Sequence, residues 1–234
     1  MTTSPQPPDL TRHYDAMWDR AFAAVAAGDI DCDTRLAAGP DPRRGLTVIA
    51  RPGPALAARL DALLDRLAAL EPGQYRHPPS DMHMTVLSLF TVADDAAPAL
   101  ERLADYRAAA HAAAAGIEAF EVAFAGITLS RGAVLARGFP RGPQLERLRA
   151  RLREELHERG LDALLDERYR LVTAHATLLR FVQPLRDPAR FAAALALLRD
   201  APLGTMRVDR VELVVNDWTM SRSTLERIDT LALS

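Results

Sequence analysis

The sequence predicts an α+β fold of two pseudo-twofold-related lobes, each an antiparallel sheet with flanking helices, and three observations carry that reading. Short apolar runs with period-two alternation are interspersed with longer runs of helical period. The order strand, helix, hairpin occurs twice, over 82–139 and again over 171–232. Each occurrence opens on a histidine followed two positions later by a threonine, at His83-Met84-Thr85 and at His175-Ala176-Thr177. A structural order used twice implies two equivalent units packed together.

Residues 1–10, with prolines at 5, 7 and 8, read as a disordered tail. Thr11 then caps a helix to about Ala27, with Met17, Trp18, Phe22 and Val25 on its apolar side. Asp29 to Arg44 is turn-rich. We therefore divide the chain into an N-terminal extension with one helix, 1–44, and a bilobal domain, 45–234. Gly45–Arg51 reads as a short buried strand, and a Pro-Gly-Pro break separates it from an amphipathic helix over Ala55–Leu70, whose leucines recur at helical spacing. In the first repeat, Met82–Phe90 is a strand and Pro98–Ala115 a helix. A hairpin follows over Phe120–Leu129 and Ala133–Phe139. A long helix, Gln144–Arg159, leads into the second repeat, with a strand over Leu171–Val182 and a helix over Pro188–Arg199. A second hairpin, Met206–Thr219 and Thr224–Ala232, ends it.

Composition bounds the chemistry. With 49% hydrophobic residues, the 234-residue chain holds ample material for a core without disulfides. Its one cysteine, Cys32, can form no internal bridge, which together with the absence of a basic-then-apolar leader predicts a reducing, cytoplasmic setting. No apolar run is long enough to cross a bilayer, so no membrane partner is expected. A net charge of −2 argues against a broad basic nucleic-acid face but suits a small anionic ligand held by a few local arginines. All 29 basic residues are arginine. A chain without lysine forms no enzymic Schiff base or lysyl-nucleotide intermediate and has no P-loop lysine.

The two motif strands suggest the chemistry. Residues i and i+2 of a strand share a face, so each histidine lies beside its threonine. His83 and Thr85 share theirs with Leu87 and Leu89; His175 and Thr177 share theirs with Thr173, Leu179 and Phe181. The strands are otherwise apolar, where unpartnered polar groups are costly. Two such pairs facing one cleft are satisfied by a shared polar ligand. Imidazole titrates near neutrality, so one histidine can act as base and the other as acid, while the hydroxyls hold phosphate oxygens. Neither motif has the spacing of a metal site, so metal-free phosphoryl transfer, without any cofactor, is the natural reading.

The eight residues His83-Met84-Thr85-Val86 and His175-Ala176-Thr177-Leu178 resemble, at every position, the doubled motif of the two-histidine (2H) phosphoesterase superfamily. That group includes bacterial 2′-5′ RNA ligase-like proteins and cyclic nucleotide phosphodiesterases. The resemblance runs from about Gly45 to the C-terminus and leaves residues 1–44 unmatched. It implies two α+β lobes around a central cleft, and chemistry on the 2′,3′-cyclic phosphate or 2′-5′ phosphodiester of a nucleotide or RNA end. It also implies that His83 and His175 are the catalytic base and acid, in either assignment, and that Thr85 and Thr177 bind phosphate. No obligate protein partner is indicated. The alternative is a non-catalytic nucleotide- or RNA-binding module using the same cleft.

Further candidates for substrate binding are Arg131 and Arg222, in equivalent hairpin turns, where they can clamp a second phosphate. Arg137, in the return strand of the first hairpin, and Tyr169, just before the second motif, join them. His77, in the Tyr75–Pro79 loop, reads as solvent-exposed. Arg180 alternates away from the histidine face and reads as structural. The arginines over 144–159 are interleaved with glutamates and read as a solvated helix face. Trp218 reads as a core or rim residue that can stack on a base.

Overall fold

Short alternating segments and leucine-striped helices assemble into one antiparallel sheet backed by helices in the computed structural model, which describes residues 9–37, 41–94, 96–165 and 171–234. The strands are β1 (Arg44–Ala50), β2 (Tyr75–Arg76), β3 (Met84–Ala93), β4 (Phe120–Ser130), β5 (Ala133–Arg141), β6 (Ala176–Arg180), β7 (Pro202–Val208), β8 (Arg210–Asn216) and β9 (Glu226–Ala232). Their order across the sheet is β7-β4-β5-β6-β3-β1-β8-β9, with β2 paired to β6. Two four-stranded halves are thereby joined at the centre through the strands that follow the two motif histidines. That join is a single residue pair, Met84 opposite Ala176. The fold is α+β, with a pseudo-twofold centre where the motifs predict one.

Each half has its own helices. Helices α1 (Leu10–Ala26), α2 (Pro54–Leu70) and α6 (Pro188–Leu198) pack against the β4, β6 and β7 side, whereas α4 (Leu103–Ala114) and α5 (Gln144–Glu158) pack against β9 and β3. Leu56, Leu60, Leu63, Leu64 and Leu67 of α2 are all buried, as their spacing predicts. The buried side chains form one continuous core that includes Trp18 and Val25 of α1.

Several elements differ from expectation, each for a local reason. Asp9, not Thr11, caps α1, its carboxylate accepting the Arg12 N–H at 3.1 Å. The helix expected over 98–115 divides at Arg102 into α3 (Ala97–Glu101) and α4. The single strand expected over 206–219 breaks at Asp209: β7 pairs with β4 and β8 with β1 and β9. One residue, Asp209, carries the chain from the first strand of the order to the last but one, so the sheet is curled. The hairpins also exchange partners. β4–β5 joins the second motif strand and β8–β9 joins the half of the first, so each half combines material from both repeats. Of the tail expected over residues 1–10, residues 1–8 lie outside the described residues, whereas Asp9 caps α1 and Leu10 opens it.

Candidate functional site

The central pair Met84 and Ala176 sets the geometry. Continued by one residue either way, the antiparallel register places His83 across from Thr177 and Thr85 across from His175. Flanking positions of a paired residue share the opposite face, so all four side chains project to one side as a two-by-two square. Burial agrees: Met82, Met84, Val86, Ala174, Ala176 and Leu178 are buried, while His83, Thr85, His175 and Thr177 are each partly exposed.

A bulge follows each motif at the same place. In the β1–β3 ladder Val48 pairs with Leu87 and Ile49 with Thr85, which leaves Val86 as the extra residue. In the β5–β6 ladder Val134 pairs with Leu179 and Leu135 with Thr177, which leaves Leu178. Bulges of this kind re-aim side chains beside functional sites. They correct the plain alternation of the sequence: Leu87, Leu89 and Leu179 are buried, and Ser88 and Arg180 are the partly exposed residues that rejoin the motif face.

The two imidazoles are held differently. His83 Nδ1 lies 2.7 Å from the Asp81 carbonyl oxygen. A carbonyl only accepts, so Nδ1 carries the proton and Nε2 holds the lone pair of the neutral ring. His175 Nδ1 lies 2.7 Å from the hydroxyl of buried Thr173, which can donate or accept. Burial lowers the pKa of both rings below the usual imidazole range, and Arg51 and Arg180 lower that of His83 further. For His175 burial is joined by the charges of His83, Arg149, Arg180 and His13, which bring it to about 4. The pair thus interacts electrostatically and is set among cations, an environment that favours the neutral rings.

Arg149, on α5, binds both motif strands from behind the sheet. It is fully buried. Its Nε donates to Val86 O at 2.8 Å and its Nη2 to Thr173 O at 2.6 Å, with longer contacts of 3.3 Å to Thr85 O and Val172 O. The sequence reading of a solvated face therefore fails here, because only a guanidinium spans several outlying carbonyls at once. Simple alternation likewise misplaces Arg180. It lies close enough to His77, His83 and His175 to lower the pKa of all three. Its Nε is buried without a partner among the described residues, and its guanidinium carbon stands 5.4 Å from the Trp218 ring centre. Trp218 Nε1 in turn donates to Asp33 at 2.7 Å. His77 is 2% exposed rather than solvated. Its N–H donates to the carbonyl of the bulge residue Leu178 at 2.9 Å, while both ring nitrogens are buried without partners among the described residues, and burial, with the charges of Arg180 and His83, brings its pKa to about 3. The sequence signal for His77 and Arg180 is their closeness to the motifs, and Arg149 has none; the bulges that aim Arg180 leave no residue-level mark.

Two of the remaining candidates are engaged in other contacts. Arg131 pairs with Asp29 at 2.6 Å and Asp31 at 3.3 Å. Arg137 is 6% exposed and its guanidinium binds Ala125 O, Arg199 O and Asp200, so it braces the β4–β5 hairpin. Arg222 is exposed in the β8–β9 connection. Tyr169 lies outside the described residues. Among the described residues no cluster of three His, Cys, Asp or Glu side chains is placed to hold a metal ion, and no helix is long and apolar enough to cross a membrane.

Comparison with known proteins agrees with this geometry. Residues 52–218 match the family model of the 2′-5′ RNA ligase superfamily. No curated protein matches the chain by sequence. Among solved structures, TT0787 of Thermus thermophilus is similar at 18% identity and a TM-score of 0.60, covering 81% of this chain and 97% of that one. LigT of E. coli in apo form is similar at 15% identity and a TM-score of 0.54, covering 83% and 99%. Its complex with 3′-AMP gives 15% identity and a TM-score of 0.50 over the same shares. At these identities the likeness is one of fold.

Proposed function

The chain belongs to the 2′-5′ RNA ligase superfamily, and on that footing we propose that it is a phosphoesterase acting on a 2′,3′-cyclic phosphate or 2′-5′ phosphodiester at a nucleotide or RNA end. The observation that carries this reading is the square of two histidines and two threonines fixed by the Met84–Ala176 pair. The 3′-AMP held by the similar LigT structure carries its phosphate on the ribose edge that such a substrate presents.

A phosphodiester anion fits between the imidazoles, with the Thr85 and Thr177 hydroxyls donating to its non-bridging oxygens. The Arg180 Nε–H is a further donor without an acceptor. His83 is the better base, because its Nδ1 proton is committed to Asp81 O and its Nε2 accepts. It takes the proton of an attacking water as the water oxygen bonds to phosphorus. His175, whose Thr173 partner suits either tautomer, gives a proton to the departing ribose oxygen. The bound anion favours imidazolium and so offsets the low pKa of His175. With a ribose hydroxyl of a second strand in place of water attacking a 2′,3′-cyclic phosphate, the same steps form the new P–O bond as one ring ribose oxygen leaves, and so join ends without ATP.

The test is turnover of a panel of 2′,3′-cyclic nucleotides and 2′-5′ dinucleotides, with and without chelator. Wild type should turn over at least one class with chelator present, and His83→Ala and His175→Ala should each lose about 10³-fold or more in kcat while staying folded. Stoichiometric binding without turnover across the panel would leave a binding module instead.

A further inference from the structure

The second motif strand is gripped by a part of the chain that precedes residue 52, where the family match begins. β6 starts only at Ala176, whereas its neighbour β5 continues to Arg141. Gly138 and Ala174 therefore face each other beyond the last pair of the ladder, at close range: a Cβ on Gly138 would stand 1.9 Å from Ala174 O. No backbone bond closes this gap. The Tyr14 hydroxyl does so instead, donating to Gly138 O at 3.1 Å and accepting the Ala174 N–H at 3.0 Å. Tyr14 is fully buried, and burial pushes its pKa up to about 12, so the hydroxyl keeps its proton. The residue after Ala174 is His175. At the other end of the same strand, Asp33 N–H donates to Phe181 O at 2.7 Å. The segment from α1 to Asp33 thus holds the strand on both sides of the site.

We propose that Tyr14 is a positioning residue for His175, and that the segment before the family match is part of the catalytic apparatus. The hydroxyl stands in for a missing sheet pair, so it sets the height and twist of the backbone that carries the imidazole. A misplacement of about 1 Å costs on the order of a hundredfold in rate, which makes one buried hydrogen-bond relay sufficient. Simple adhesion of α1 does not require this bond, because other ties avoid β6. Thr128 Oγ1 donates to Tyr14 O at 2.9 Å, and Arg199 pairs with Asp15 at 3.0 Å.

The kinetic part of the test rests on the phosphoesterase reading; the spectroscopic part does not. Tyr14→Phe, at a temperature where it is folded, should lower kcat by about tenfold to a hundredfold with KM within about twofold. In the same variant the His175 ring resonances and titration midpoint should move while those of His83 stay. Thr128→Val, which loosens α1 without touching β6, should lower thermal stability and change neither readout. In wild type, the Ala174 amide should exchange with solvent as slowly as amides within β6, a measurement that stands even if Tyr14→Phe does not fold. Unchanged kcat and unchanged His175 resonances in Tyr14→Phe would overturn the proposal, as would the same changes in Thr128→Val or fast exchange at Ala174. If wild type turns over nothing, the function reading falls and the His175 resonances alone decide this one.

Discussion

Replacing Arg149 by methionine keeps much of the side-chain length and removes the guanidinium from the centre of the sheet. The carbonyls it serves have no ready substitute. Val86 is the extra residue of the β3 bulge, and Thr173 precedes β6, so neither lies in a regular ladder position. The two short bonds of Arg149 to these carbonyls, 2.8 Å to Val86 O and 2.6 Å to Thr173 O, carry most of the effect; the 3.3 Å contacts and the 2.8 Å pair with partly exposed Glu146 on its own helix add little. Charge-assisted bonds are worth about 1.5–3 kcal/mol each, so losing two costs about 3–6 kcal/mol. Relief from burying a charge returns part of that, which leaves about 3–5 kcal/mol. For a chain of this size about 2–4 °C accompany each kcal/mol, so the melting temperature should fall by about 10 °C. Urea and thermal denaturation measure this directly. Because the bonds join both motif strands, kcat should fall as well in protein that remains folded. A variant melting within about 2 °C of wild type would refute the assignment of Arg149 as the tie between the strands.

Three further expectations follow from the site. Thr85→Val and Thr177→Val keep the side-chain shape and remove one oxyanion donor each, so each should cost about a hundredfold in kcat, and equal kcat in both variants and wild type would exclude the hydroxyls from phosphate binding. The pKa values of His77 and His175, about 3 and about 4, lie below the ordinary 6.5, so unfolding takes up protons in that interval. Their contribution is full above pH 6.5 and is lost as pH falls through the window, about 2 kcal/mol for His77 between pH 6.5 and 5. Urea melts at pH 7 and pH 5 should show the loss, His77→Phe should reduce it, and identical pH dependence in the two proteins would contradict the buried neutral ring. Finally, the bound phosphate anion should raise the imidazole pKa values, which places the kcat optimum at higher pH than that of kcat/KM; coincident profiles would count against an anion between the rings.

The parts of the fold that are legible in the sequence are those governed by local repetition. The leucine period of α2, the alternation of β4 and the two His-x-Thr pairs each follow from one element's own geometry. The unread parts depend on partners far away in the chain. Whether 206–219 is one strand or two depends on β4 and β1 claiming its halves, and no feature near Asp209 announces that division. Arg149 shares a helix with arginines that face solvent, and only the position of two broken ladders behind it distinguishes it.

The bulges account for why the motifs are readable while their surroundings are not. Across His-x-Thr the strand is regular, and i, i+2 alternation correctly pairs each imidazole with its hydroxyl. One residue later the count slips in both strands, at Val86 and at Leu178, and every alternation drawn past that point has the wrong phase. Arg180 is the consequence that matters for chemistry. A regular strand would turn it away from the histidines, whereas the slip returns it to their face, with an unpartnered Nε–H and a pull on the pKa of both rings. The equivalent position after the first motif holds Ser88. The pseudo-symmetric frame therefore carries an arginine after the second motif where a serine follows the first. On the proposed reading, an anion between the rings meets an arginine contributed by the second motif strand and no counterpart at the matching position of the first, which favours a single orientation of the ribose and hence fixed roles for the two histidines.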